Sequence, residues 1–449
     1  MGKKLAGALT IGLILIVMLG GCDSAWKQEE AFAQEKLEVH TTQSSEIELA
    51  EQEIRENGEL AALPQTAEQR VILGDEQTDR YLPVLEGKRV ALFSNHTGIV
   101  GEQADGPHIL DVLIENNVQV TAVFSPEHGF RGTADAGERV GSSTDPGTGV
   151  RIVSLYGARS QEQGTEDLFD VLLVDIQDVG LRFYTYYITM MRMMRFCADH
   201  GKKVIILDRP NPNGFKVDGP ILERRYKSGV GALPVPVMHG MTLGELAQMT
   251  VGENWLYGWE DDALPQQSVH PPLDLTVIPC AHYTHDTLYE LPVAPSPNLK
   301  SMRAVWLYPS TCLFEGTTLS LGRGTDFPFE VYGHPAFPET GFKFTPRPVP
   351  GAKNPPLLDR ECNGVDLRDL PLESVRAGGM DLTYLIDAYH RMGEPADFFR
   401  PDGFFELLVG VSYVREMIEH GSTAADIRAC WAADVKKFSS IRAKYLIYN

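Results

Sequence analysis

The chain has 449 residues and a formal charge of -21, which is long for one core and favours two domains. That acidity excludes a nucleic-acid binder, because a phosphate-binding face needs clustered Lys and Arg. Six cysteines, Cys22, Cys197, Cys280, Cys312, Cys362 and Cys430, stand without CxxC spacing, so neither a zinc cluster nor a dense disulfide framework is expected.

Lys3 and Lys4 precede an apolar run that closes with Leu19-Gly20-Gly21-Cys22. This is similar to a bacterial lipoprotein signal, with cleavage before Cys22, lipidation of that residue, and a folded part held outside the cytoplasm on the cell membrane. A plain cleaved signal and a signal anchor are the alternatives. Residues 23–70 carry twelve Asp/Glu against four Lys/Arg, and are expected to form a solvated, flexible tether.

From Val71 strands alternate with helices. Strands are predicted at 89–93, 118–124, 151–155, 171–175 and 203–208, and helices at 108–115 and 184–199. Alternation on this scale calls for a parallel sheet whose carboxyl ends share one edge, where such folds place their chemistry. Asn95 and His96, Glu127 and His128, Asp175 and Asp178, and Asp208 and Arg209 all fall in loops at that edge. The α/β reading is a Rossmann-like domain over 71–240 followed by a smaller α+β domain over 241–449, with a cleft between them. In the second domain a helix over 242–249 is predicted, capped by Thr242 with Glu245 at its third position, and further helices over 404–419 and 423–438.

Phe124-Ser125-Pro126-Glu127-His128-Gly129-Phe130 follows a buried strand and forces a turn. Shielding by the two phenylalanine rings would raise the Glu127 carboxyl and suit it to general acid catalysis; a plain surface turn is the bland reading. His128 is placed to bond a substrate hydroxyl, to tune Glu127, or only to satisfy a carbonyl. Asp175 and Asp178 fit either a hard-cation site with Glu127 and His128 or helix capping, and without metal-motif spacing no metal or cofactor is assigned. The aromatic row from Phe183 to Tyr187 reads as core more than as a sugar platform, with Tyr184 the member placed to reach the site. Arg323, between Gly322 and Gly324, is read as free to swing onto an acidic group such as a lactyl carboxylate, or as a plain turn.

Five motifs in order, Ser94-Asn95-His96-Thr97-Gly98, Ser125-Pro126-Glu127-His128-Gly129, Asp175 to Gly180 with Arg182 to Tyr186, Asp208-Arg209-Pro210-Asn211-Pro212, and Glu315 to Thr325, resemble the NamZ family of exo-β-N-acetylmuramidases from Val71 onward. The resemblance implies release of N-acetylmuramic acid from non-reducing ends of peptidoglycan fragments (MurNAc-GlcNAc) in cell-wall turnover. Glu127 is then the acid/base, with His128 and Asp175 beside it. Asn95, His96, Gln177, Asp178, Arg182, Tyr184, Asp208, Arg209, Glu315 and Arg323 are the implied substrate contacts. A non-catalytic muropeptide-binding lipoprotein and a metal-assisted hydrolase are the competing expectations; oligomeric state is not legible.

Overall fold

The computed structural model describes residues 70–126, 130, 143–155, 165–259 and 271–448. The leader, Cys22, nearly all of the tether, and Glu127 and His128 lie outside the described residues.

Among the described residues, seven strands form one sheet: β1 (Arg89–Ser94), β2 (Gln119–Ser125), β3 (Ser143–Thr144), β4 (Arg151–Ser154), β5 (Val171–Asp175), β6 (Lys203–Leu207) and β7 (Asp274–Ile278). Their order is β3-β4-β2-β1-β5-β6-β7, and every pairing is parallel except that of the two-residue β3 with β4. Alternate side chains leave opposite faces of a strand, and the core divides accordingly. Leu92, Val123, Leu173 and Ile205 pack with Tyr81 of α1 (Thr78–Leu85) and Ile109 and Leu113 of α2 (Ile109–Glu115). Phe93, Phe124, Val174 and Ile206 pack with Met190 and Met194 of α3 (Tyr186–Asp199) and Leu246 and Met249 of α4 (Leu243–Gly252). With both faces covered, the strands tolerate near-continuous apolar sequence.

The capping box predicted at Thr242 and Glu245 is formed. β7 was not expected, because it lies in a proline-rich stretch, and its pairing with β6 carries the sheet layer past residue 240. Beyond it come α5 (Met302–Thr311) and a small antiparallel sheet of β8 (Val331–His334), β9 (Lys343–Phe344) and β10 (Cys362–Asp366), in the order β8-β10-β9. Among the described residues, five helices follow: α6 (Leu372–Gly378), α7 (Thr383–Arg391), α8 (Phe404–Val409), α9 (Tyr413–Glu419) and α10 (Ala424–Arg442).

The single helix predicted over 404–419 is therefore two, and the reason is Arg182. Its side chain is fully buried, donating from Nη1 to Pro220 O and Val235 O at 2.7 and 2.8 Å and from Nη2 to Leu408 O and Val409 O at 3.0 and 2.7 Å. The last carbonyls of α8 are thus claimed from outside the helix. Gly410 then turns with φ +83°, where a Cβ would lie 2.6 Å from Arg182 Nη2. Arg182 fastens the loop after β5 to the C-terminal helices. Replacing it by methionine leaves four buried carbonyls without that donor, and Arg182→Met is expected to cost about 3–5 kcal/mol of stability in chemical denaturation.

Candidate active site

Ser154, Ser125, Ser94 and Asp175 end four neighbouring strands, in the spatial order β4, β2, β1, β5. Arg209, just past β6, reaches back over this row. Its Nε and Nη2 meet the two Asp175 oxygens at 2.6 and 3.0 Å, and Nη2 also meets Asp75 Oδ2 at 2.6 Å and Ile99 O at 3.0 Å. All three charged groups are buried. A guanidinium buried alone would be very unfavourable; two carboxylates and a carbonyl make its placement tenable. Burial pushes the Asp75 carboxyl up to about 7 against the pull of Arg209.

The neighbouring loops lock into one another. Asn95 Oδ1 accepts from Thr97 N and Oγ1 at 2.9 and 2.7 Å, and Thr97 Oγ1 accepts from Gln177 N at 3.0 Å. Gln177 Nε2 donates to Asp178 O and Pro210 O at 2.7 and 2.8 Å, and Asp178 Oδ1 accepts from Gly180 N at 2.7 Å. Gly180 has φ +72°, and a Cβ there would lie 2.1 Å from Asn211 Nδ2. A narrow pocket lined by Gln177, Asp178, Arg209, Asn211 and Met241 opens between these loops. Among the described residues, Asn95 Nδ2, Gln177 Oε1, Asp178 Oδ2 and Arg209 Nη1 are buried polar atoms without a hydrogen-bond partner. Buried polar groups are nearly always satisfied, so these four atoms on adjoining loops call for partners from outside the protein, a water or a polar ligand group. Burial pushes the Asp178 carboxyl up to about 7.

The other expected residues are differently placed. Asp208 accepts from Thr242 Oγ1 at 2.6 Å, the Tyr448 hydroxyl at 2.7 Å and Gly244 N at 2.9 Å. It thus sits against the positive end of α4, and burial raises it to about 6. Asp208, and not Asp175, is the strand-ending acid that caps a helix. Tyr184 and Tyr186 both donate to Pro295 O, at 2.7 and 3.2 Å, and the aromatic row lies in the core. His96 Nε2 stands 2.8 Å from Ala294 O. Arg323 pairs with Glu315 at 2.6 Å, its guanidinium carbon 5.0 Å from the centre of the Phe329 ring. Its flanking glycines admit no side chain: Gly322 and Gly324 have φ +85° and +82°, and a Cβ would meet Val331 Cγ2 at 2.7 Å and Arg347 O at 2.5 Å respectively. The arginine expected to reach an acidic ligand group is ion-paired with Glu315 in this structure. Phe124 and Phe130 belong to different apolar clusters; the shielding expected at Glu127 lies outside the described residues.

Sequence reasoning missed Asp75, which lies in an irregular turn before α1. It also missed Asn211, whose Nδ2 donates to Met241 O at 2.9 Å and whose Oδ1 accepts from Asn213 N at 2.8 Å. The Asn211-Pro212-Asn213 run was the available signal, since such turns fold on their own side chains.

The chain and its fold match known proteins. The N-terminal model of exo-beta-N-acetylmuramidase NamZ matches residues 90–303, and the C-terminal model matches residues 306–448. The peptidoglycan beta-N-acetylmuramidase NamZ of Bacillus subtilis (strain 168) is 38% identical over 392 residues, covering 82% of this chain and 89% of that protein. A crystal structure of a DUF1343 family protein from Bacteroides fragilis NCTC 9343 is 54% identical, with a TM-score of 0.76, over 85% of this chain and 99% of that one. A second DUF1343 structure from the same organism is 26% identical, with a TM-score of 0.67 and the same coverage. The chain belongs to the exo-beta-N-acetylmuramidase NamZ family.

Proposed function

We propose that this chain is a glycosidase acting on peptidoglycan, and that it releases N-acetylmuramic acid from non-reducing ends of wall fragments during turnover and recycling. The observation that carries the reading is the group of orphaned atoms on Asn95, Gln177, Asp178 and Arg209. They offer donors and acceptors together, as sugar hydroxyls and an acetamido group require. Family membership supports the reaction class.

Glu127 follows the end of β2 by two residues and is assigned as general acid/base, with His128 beside it. Asp175 and Asp178 are the two acids after β5 available to orient the substrate's amide. The geometry favours Asp178, because both Asp175 oxygens are held by Arg209 while Asp178 Oδ2 has no hydrogen-bond partner within the protein. In the proposed sequence the acetamido oxygen attacks C1 as Glu127 protonates the departing glycosidic oxygen. Asp178 accepts the amide N–H, and water then opens the cyclic intermediate with Glu127 as base. Asn95, Gln177 and Arg209 are assigned to ligand binding, and Arg182, Tyr184 and Asp208 to holding the loops. The Leu19 to Cys22 sequence supports anchoring by lipid at Cys22, outside the cytoplasm.

The test is release of N-acetylmuramic acid from a chromogenic β-muramide by residues 23–449. Glu127→Gln is expected to lower kcat/KM by about 100- to 10,000-fold while muropeptide still binds. Saturable binding by the parent without turnover would overturn the glycosidase reading in favour of a binding lipoprotein. Retained configuration at C1 is expected, and an inverted product rejects the acetamido mechanism. For Asp178 the folded value, about 7, lies above the unfolded one of about 3.9, so ionisation weakens the fold. Its contribution is complete below about pH 4 and lost as pH rises toward 7. Asp178→Asn should therefore gain thermal stability relative to the parent over that window, by a few kcal/mol at most, while losing activity.

A further inference from the structure

The Asp208–Asn213 turn, which carries Arg209, is braced from behind by the segment after α10. The Tyr448 hydroxyl donates to Asp208 Oδ2 at 2.7 Å and accepts from Cys280 N at 3.0 Å. Its ring meets that of Tyr283 edge-on at 4.9 Å, and the Tyr283 hydroxyl accepts from Asn211 N at 3.1 Å. The backbone itself is pinned: Ile447 N and Tyr448 N lie 2.8 and 3.4 Å from Glu245 Oε1, the oxygen that also meets His285 Nε2 at 3.0 Å. Glu245 is fully buried, and its other oxygen closes the α4 capping box. Tyr448 therefore touches the turn at its first residue directly and at Asn211 through one ring.

The turn passes this bracing on. Arg209 follows Asp208 and aims at Asp175; Pro210 O fixes Gln177 Nε2 at 2.8 Å. We infer that Tyr448 is a positioning residue for the glycosidase reaction: through Asp208 its hydroxyl sets the turn that aims Arg209 and holds Gln177 against the ligand. The inference rests on the functional reading above. Its chemistry is that of a hydrogen bond to a buried carboxylate, stronger than one between neutral groups. A small misplacement of groups that contact the reacting sugar acts on kcat more than on binding.

The experiment compares kcat and KM on the chromogenic β-muramide for the parent, Tyr448→Phe and Tyr445→Phe, alongside thermal melts. Tyr445 lies on the same segment, and its hydroxyl donates to Glu253 at 2.7 Å, away from the turn. Tyr448→Phe keeps the ring and loses the donor; kcat is expected to fall about tenfold with KM within about twofold. Tyr445→Phe is expected to lower only the melting temperature. Equal kinetics for the two variants, or kcat loss that merely follows the melting temperature, overturns the inference. If the phenylalanine chain does not fold, difluorotyrosine at 448 keeps ring and hydroxyl but donates more strongly; kcat changed at constant KM supports the inference and parental kcat refutes it. If the parent binds muropeptide without turnover, the functional reading fails separately. The same variants then decide by dissociation constant, a loss of affinity confined to Tyr448→Phe supporting the bracing and equal affinities refuting it.

Discussion

Everything at the carboxyl edge is arranged around one buried cation. Arg209 lies between Asp75 and Asp175, and none of the three has water to fall back on. Removing either acid would leave a guanidinium in a low-dielectric interior with part of its compensation gone, which is why such clusters tolerate little change. The consequence is geometric. The start of the fold, the end of β5 and the turn after β6 are drawn to one point, although they are far apart in the chain.

Around that point, polar groups divide by whether their bonds are complete. Asp208 has three donors, Arg182 four carbonyls, and Tyr184 a carbonyl at 2.7 Å. Asp208 and Tyr184 are satisfied, Arg182 is satisfied at both terminal nitrogens but not at Nε, and the three make the frame. Asn95, Gln177 and Asp178 each use one side of the side chain to fix a loop and leave the other side unmatched. A residue held in this way is already oriented when a ligand arrives, so little ordering remains to oppose binding. Motif residues that look equivalent in a sequence are thereby separated into those whose bonds are complete and those with an atom left unmatched.

The sheet was legible because its signals are local. Apolar runs ending at Ser94, Ser125 and Asp175, the second of them alternating, gave the strands, and Thr242 with Glu245 gave a helix start that the capping box bears out. β7 was not, since its flanking prolines resemble a loop and only the exposed side of β6 makes it a strand. The break at Gly410 was hidden for a similar reason: its cause, Arg182, is more than two hundred residues away. Within the site the edge residues could be named from chain order alone, but their duties could not. Arg323 finds its partner in Glu315, eight residues earlier, and Asp75 becomes part of the site only through a tertiary ion pair.

The contact between Gly180 and Asn211 constrains how this edge can be altered. Position 180 admits no side chain while Asn211 keeps its place, and Asn211 is tied on both sides by Met241 and Asn213. Directed evolution that varies either position singly will meet a steric wall at one and a broken turn at the other. Reshaping this corner of the pocket requires both to change in the same step, so the loop after β5 and the loop after β6 constitute one mutational unit.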